Sequence, residues 1–373
     1  MDVLSAANEL ERAGHRIVHM EVGQPSAPAP EPVLEAARAA LADGNIGYTE
    51  AKGRPALREK ISDYYYRAHG LEVSPERIIV TTGSSAAFNL AFLGCFDVGD
   101  RIVMPAPGYP AYRNILQALG LNGVEIETGA STRWALTPDM IEDASREKTV
   151  KGVLVASPAN PSGTMLEPHA LKALCEHSDA QGHWFISDEI YHGLVYGGTA
   201  ETALRFSDRA IIINSFSKYY CMTGWRIGWM VVPENMVRPI ERLAQSFYIS
   251  APDLSQRAAI AAFDAPQALE GVKQGYAENR ELLLSRLPQI GFQEILPVDG
   301  AFYAYASVRN MTNDSMEFAG RMLREAGVAA TPGLDFDRAR GAGYIRFSFA
   351  GALDDMIEAM DRLQRWRDDG GFK

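Results

Sequence analysis

No two cysteines in this chain stand at the C-x-x-C spacing of a zinc ribbon or a redox dithiol. Cys95, Cys175 and Cys221 are the only three, an odd number, which argues against a disulfide framework and fits a reducing, cytoplasmic compartment. Long hydrophobic runs are missing as well. No stretch approaches the roughly 18 apolar residues of a membrane span. The opening MDVLSAANELERAGHRIVHM has no basic leader followed by an apolar core, so neither a membrane anchor nor a secretory signal is expected. Positive charge is in short supply: Lys and Arg number 36 against 47 Asp and Glu, a net charge of −11. A surface of that sign repels phosphate backbones, which removes nucleic acid from the expected partners. Any anionic ligand must be gripped by a few placed cations.

Several catalytic signatures are absent too. There is no G-x-G-x-x-G after a strand, no G-x4-G-K-[ST] and no G-x-S-x-G, which sets aside dinucleotide, P-loop and α/β-hydrolase chemistry. Residues 188–192 read DEIYH, but the first position of a zinc-protease H-E-x-x-H is Asp here. His15 and His19 lie four apart, where the chain runs from a helix end into a strand. No metal is expected.

What is present is an ordinary globular composition, 47% hydrophobic and 22% charged over 373 residues, long enough for two domains. Short Val- and Ile-rich runs recur at Arg77–Thr81, Arg101–Met104, Gly152–Ala156, Trp184–Ser187, Ala210–Asn214 and Trp229–Val232. They predict strands buried on both faces, the mark of a mainly parallel sheet. Helical patterns fall between many of them, at Ser85–Phe96, Ala111–Leu119 and Glu167–Gln181. The expected fold is therefore α/β, a three-layer α/β/α large domain. Near residue 270 the pattern changes. A long amphipathic helix at Gly271–Leu287, a strand at Ala301–Ala306, a helix near Ser315–Ala326 and a strand at Gly343–Phe349 predict a smaller α+β domain. Ile17–Val22 carries a strand signal and is followed by the stiff connector PSAPAPEP, so the N-terminal segment is expected to join that smaller domain. The division reads 28–272 for the large domain, and 1–27 with 273–373 for the small one.

The most informative stretch is NSFSKYYCMTGWRIGW, 214–229. A strand ends in Ser215-Phe216-Ser217, then comes Lys218, and Arg226 follows in GWRIG. Ligands of open α/β sheets sit at the carboxyl ends of strands. A lysine placed there attacks a carbonyl only when neutral, so burial or nearby positive charge must lower its pKa, and Arg226 is the candidate for that charge. The spacing S-x-S-K-x5-G-W-R-x-G resembles the cofactor-lysine signature of the class I and II aminotransferases, fold-type I enzymes dependent on pyridoxal 5′-phosphate (PLP). The likeness extends from Gly23-Gln24-Pro25 to Arg346.

The resemblance implies a set of roles. Lys218 would hold PLP as a Schiff base and move the proton at the substrate's Cα. Asp188, in WFISDEIY, would pair with the ring nitrogen, and Tyr191 and Asn160 (the latter in NPSGT) would contact the ring oxygen. Thr81–Ser85 (TTGSS) ends a strand and opens a helix, whose free amides make an anion site. Ser84, Ser85, Ser215, Ser217 and Arg226 would together cup the phosphate. Tyr109, in PAPGYP, would stack on the ring. Tyr48, in GYTEAKGRPALR, would reach the phosphate of a neighbouring subunit and make the working unit a homodimer with shared active sites. Arg346, in the late strand GYIRFSF, would grip the substrate α-carboxylate, with Gly23 and Asn160 on the same side; a guanidinium fork suits a carboxylate. Family members carry further N-terminal residues that cover the substrate, so a lid of that kind is expected to be short here or to lie outside this sequence. Aspartate-specific bacterial relatives carry a lysine where Ser85 stands, which argues against an acidic amino donor. The expected activity is amino transfer from an L-amino acid to a 2-oxo acid. Two other readings stand beside it: a carbon–sulfur β-lyase on the same site, and a non-catalytic PLP-binding domain.

Overall fold

The computed structural model describes residues 2–372. Its strands, in chain order, are β1 (Val18–His19), β2 (Ile78–Thr81), β3 (Arg101–Ala106), β4 (Asn122–Glu127), β5 (Gly152–Ala156), β6 (Trp184–Asp188), β7 (Ile211–Ser215), β8 (Gly228–Val231), β9 (Tyr303–Ser307), β10 (Val328–Ala329), β11 (Thr331–Pro332) and β12 (Tyr344–Ser348). Seven of them form one sheet in the order β2-β8-β7-β6-β5-β3-β4. Its strands run parallel except β8, which lies antiparallel to both β2 and β7.

Side chains alternate across a strand, and the sheet shows that alternation as two separate cores. Ile78, Val80, Val153, Val155, Ile212 and Val231 face one side, where they meet Leu57, Ile61 and Tyr65 of helix Pro55–His69 and Leu171 and Leu174 of helix Pro168–Gln181. Ile79, Leu154, Ile186, Ile211, Ile213 and Met230 face the other, against Phe88 and Phe92 of helix Gly83–Cys95 and Met236 and Ile240 of helix Glu234–Tyr248. The architecture is a three-layer α/β/α sandwich with a mainly parallel sheet, as the alternating pattern predicts. The six Val/Ile runs all lie in this sheet. The seventh strand, β4, is an edge strand whose residues are exposed or half-buried, and it carries no apolar run to reveal it.

A third core gathers Val18 and Met20 with Leu283, Leu287, Phe302, Ala304, Phe318, Ile345, Phe347 and Met360. Here β11, β12 and β9 form an antiparallel sheet, and β1 pairs in parallel with β10. The strand signal at Ile17–Val22 contracts to the two residues of β1, because its only partner, β10, is equally short. The long amphipathic helix spans Pro266–Ile290, and the helix near 315 changes to π-helical turns over Met322–Ala326.

Candidate active site

The carboxyl ends of β5, β6 and β7 lie side by side. Ala156 is in register with Asp188, and Asp188 with Ile213. Gly228, entering β8 from the opposite direction, faces Ser215 on one side and Thr81 on the other. That arrangement brings the TTGSS turn, the Ser215–Lys218 turn and Arg226 to one edge, although up to 145 residues separate them in sequence, from 81 to 226.

Helix Gly83–Cys95 opens on this edge with Thr82 as its cap residue, so the free amides of its first turn lie here. A Cβ on Gly228 would come within 3.1 Å of the Ser84 amide nitrogen, so only glycine lets β8 pass so close to the helix start. Gly83, with φ +73, is cornered in the same way: an added Cβ would lie 2.6 Å from Nη2 of Arg226. Arg226 itself adopts a left-handed backbone, φ 51, and its Nη1 donates to the Thr223 carbonyl at 2.9 Å. It forms no ion pair among the described residues. The hydroxyls of Ser215 and Ser217 lie 2.9 Å apart, and the Ser217 amide donates to Ser215 Oγ at 3.1 Å.

Lys218 follows directly. Its Nζ donates to the Gly23 carbonyl at 2.5 Å, and no acidic side chain pairs with it among the described residues. Burial pushes its pKa down to about 8, and the positive charge of Arg346 adds to that effect ahead of Arg226. The sequence reading assigned this role to Arg226. Arg226 does act on the amine in that sense, and the fold adds a stronger neighbour, Arg346, 128 residues beyond Lys218 in the chain. A neutral amine is accessible near neutral pH, as nucleophilic attack requires.

Asp188 is 4% exposed. Its Oδ1 accepts the Ile190 amide at 3.1 Å and so caps the turn that follows, while Oδ2 accepts the hydroxyl of Tyr112. Burial raises its pKa to about 6, against the opposing pull of that hydroxyl. Lys218 acts on this carboxylate without forming an ion pair, so the buried acid has a neutral donor and no cation in contact with it among the described residues. Tyr112 was not singled out from the sequence. It lies 76 residues from Asp188 on helix Pro110–Ala118, one turn beyond Tyr109, and that i, i+3 relation to a candidate ring-stacking tyrosine was the only local signal. Tyr109 caps the helix start, its ring edge-on to Tyr112 at 5.3 Å.

Arg346 projects from the centre of β12, opposite Tyr305 and Thr331, and is 6% exposed. Nη1 donates to Asn160 Oδ1 at 3.0 Å, and Nη2 to Thr331 Oγ1 at 3.1 Å and to the Glu21 carbonyl. The guanidinium carbon lies 4.3 Å from the ring centre of Tyr303 and 4.7 Å from that of Phe336. Its Nε has no partner, and no carboxylate meets it. A structural ion pair, the plain alternative for a buried arginine, is thus absent among the described residues. Tyr191 is buried, and its hydroxyl lies 2.8 Å from that of Tyr303. Tyr303, a second residue missed from the sequence, also presses on Gly23, where a Cβ would fall 1.9 Å from its hydroxyl. Tyr48 stands apart from this wall. It is 83% exposed and borders a hollow of about 700 Å³ together with Ile46, Thr82, Phe247 and Ser250.

The wall therefore presents three cations in no ion pair with a carboxylate among the described residues, one buried acid with no cation in contact, and a helix start kept open by glycine. This set is complementary to a ligand with a phosphate, a basic ring nitrogen, an aldehyde and a neighbouring carboxylate. The sequence profile described as aminotransferase class I and II matches residues 15–363. The chain belongs to the class I and II aminotransferases. This aminotransferase is 49% identical to a valine–pyruvate aminotransferase of Mycobacterium tuberculosis over 370 residues, covering 98% of this chain and 95% of that one. Its fold superposes on a crystal structure of an aminotransferase from Mycobacterium tuberculosis with a TM-score of 0.96 at 48% identity, covering 99% and 96% of the two chains. It also superposes on the Thermus thermophilus aspartate aminotransferase with maleate, with a TM-score of 0.91 at 33% identity over 98% and 95%. The aminotransferase is a PLP-dependent enzyme that moves an amino group from an amino acid to a 2-oxo acid. Its named relatives are called for amino transfer, and none of them supports the β-lyase or non-catalytic readings. Among the described residues no helix is long and apolar enough to cross a membrane, and no cluster of His, Cys, Asp and Glu is suited to a metal.

Proposed function

We propose that this enzyme transfers the amino group of a neutral, aliphatic L-amino acid to a small 2-oxo acid such as pyruvate, on the wall built from Lys218, Asp188 and Arg346. The carrying observation is the buried Arg346 guanidinium, which has a free Nε and no acidic partner. Burying an uncompensated charge is costly, and a substrate carboxylate is the group that would compensate it bidentately. The relative named for valine and pyruvate supports the choice of donor. So do the surroundings of Arg346, which are the rings of Tyr303 and Phe336. Arg340, in the same loop as Phe336, is committed to Asp337 and to the carbonyls of Thr128 and Ala106; it is not free for a distal carboxylate.

PLP, when bound, supplies the aldehyde that takes up the amine and a ring that accepts the electrons left at Cα. Lys218 would be the attachment point, and its amine would carry the proton at the donor's Cα. Asp188, ionised, would pair with the ring nitrogen and keep it protonated, with Tyr112 holding the carboxylate in place. Tyr191 and Asn160 would donate to the ring oxygen, and Asn160, which accepts from Arg346, would tie that contact to the guanidinium. The amides of Ser84 and Ser85, the hydroxyls of Ser215 and Ser217, and Arg226 would receive the phosphate. Tyr109 would cover the ring, and Gly23 would leave room for the substrate beside Arg346.

A homodimer belongs to the same proposal. Ile46, Tyr48, Phe247 and Ile249 are exposed at 43%, 83%, 58% and 48%, an apolar patch that suits an interface. Tyr48 finds no use in its own subunit, and a partner's phosphate site would give it one. The division into 28–272 and the two chain ends is supported by the pairing of β1 with β10, although helix Pro266–Ile290 runs unbroken across residue 272. Three free cysteines suit a cytoplasmic location. The test is a screen of amino donors against pyruvate and 2-oxoglutarate. Aliphatic donors should turn over best with pyruvate, and Lys218→Ala should abolish both turnover and the visible absorbance that borohydride bleaches. Preference for aspartate or glutamate would refute the assigned donor, and full turnover by Lys218→Ala would refute the site.

A further inference from the structure

Tyr303 touches three functional groups at once. Its hydroxyl is 2.8 Å from that of Tyr191. Its ring face receives Arg346 at 4.3 Å. Its hydroxyl also abuts Gly23, whose carbonyl accepts Lys218. Each phenol has one proton to give, so in the Tyr191–Tyr303 pair one hydroxyl donates and the other accepts. The charges facing the pair decide which. Arg346 lies 4.3 Å over the Tyr303 ring and favours release of its proton; it acts on Tyr191 in the same sense, but there Asp188 opposes it, while Tyr109 faces Tyr303 as a neutral phenol. Tyr303 is thereby the more acidic partner and the better donor. With Tyr303 donating, the lone pair of Tyr191 is occupied and its proton is released for a third group.

We infer that Tyr303 is a positioning residue of this enzyme: its hydroxyl donates to Tyr191 and aims the Tyr191 proton at the cofactor's ring oxygen, while its ring face orients Arg346 for the substrate carboxylate. This rests on the assignment of Tyr191 to the ring oxygen made above. One side chain then links the grip on the carboxylate to the hydrogen bond on the cofactor. A donor that itself accepts a hydrogen bond is polarised and gives a stronger one, so the Tyr303 hydroxyl should stabilise negative charge on the ring oxygen without touching it.

The experiment is a pH titration of the visible band of the PLP-loaded enzyme, with steady-state kinetics alongside. Loss of a donor to the ring oxygen raises the midpoint. Tyr191→Phe should raise it by about one pH unit, the size of one ordinary hydrogen bond. Tyr303→Phe should raise it by about 0.3 unit, about twofold in the proton equilibrium, and should add nothing in the Tyr191→Phe background. 3-Fluorotyrosine at position 303, a more acidic phenol of nearly the same shape, should lower the midpoint. The ring face survives in Tyr303→Phe, so its KM for the donor should stay within about twofold; Tyr303→Leu, which loses the ring, should raise KM about tenfold, as a lost cation–π contact in a buried site predicts. A shift from Tyr191→Phe with none from either change at 303 overturns the inference and leaves the site assignment standing. A Tyr303→Phe shift that persists in the Tyr191→Phe background also overturns it. No shift from Tyr191→Phe overturns both.

Discussion

Replacing Arg346 with alanine separates binding from architecture. In the folded enzyme the guanidinium makes three hydrogen bonds, to Asn160 Oδ1, Thr331 Oγ1 and the Glu21 carbonyl, yet lacks an anionic partner. If the substrate carboxylate is that partner, Arg346→Ala removes a charge-assisted bidentate contact. Hydrogen bonds to charged groups contribute about 1.5–3 kcal/mol each, so a loss of about 3 kcal/mol, or about 150-fold in KM, is expected. Arg346→Lys keeps the charge but not the fork, and about tenfold is expected. The alanine variant also strands three acceptors, so its melting temperature should fall while PLP remains bound through Lys218 and Arg226. A second consequence follows from the amine. Arg346 helps hold the Lys218 pKa down, so without it the lysine should ionise at higher pH, and the alkaline rise of activity should move upward. The assay is steady-state kinetics against pH, with cofactor content read from absorbance. A KM within twofold of wild type, with PLP retained, would refute the reasoning and return Arg346 to a structural role.

Two further perturbations test the surroundings. Gly83→Ala places a Cβ 2.6 Å from Arg226 Nη2 at a backbone φ of +73; it should cost about 1–2 kcal/mol of stability and weaken PLP binding in a fluorescence titration, and unchanged affinity would detach Arg226 from the phosphate. Glu189 is fully buried, and burial raises its pKa to about 8 from an ordinary 4.5. Its contribution to stability is therefore present at low pH and lost as pH rises from about 4.5 through about 8. Glu189→Gln retains the acceptor that serves Ser187, Thr202 and the Ala203 amide without the ionisation, so its melting temperature relative to wild type should climb between pH 5 and pH 8.5. A difference that does not vary with pH would contradict this account.

Much of the fold was legible because its central strands are buried on both faces, and two-sided burial writes itself as unbroken runs such as IIVT and IIIN. The edge strand β4 was not, since Asn122–Glu127 faces water along much of its length and mixes Gly and Glu with its two apolar residues. Lys218, Asp188, Asn160 and Arg346 stand out in the sequence as candidates because each sits in a contiguous motif. Tyr112 and Tyr303 were not, because their meaning lies in contacts with Asp188 and Tyr191 across 76 and 112 residues, and no local period encodes such a meeting. The same limit hid Arg346 as the amine's stronger electrostatic neighbour, while Arg226, close in the chain, was found.

The guanidinium that would hold a substrate's carboxylate and the amine that would carry its Cα proton are both moored to one short piece of backbone. Arg346 binds the carbonyl of Glu21, and Lys218 that of Gly23. The tripeptide 21–23 thus acts as a ruler, setting the span between the carboxylate grip and the proton-carrying amine. Any slippage of that segment would shift both anchors together, so selection for the α-amino acid backbone is built into a strand-to-connector junction that itself contributes no charged side chain to either contact.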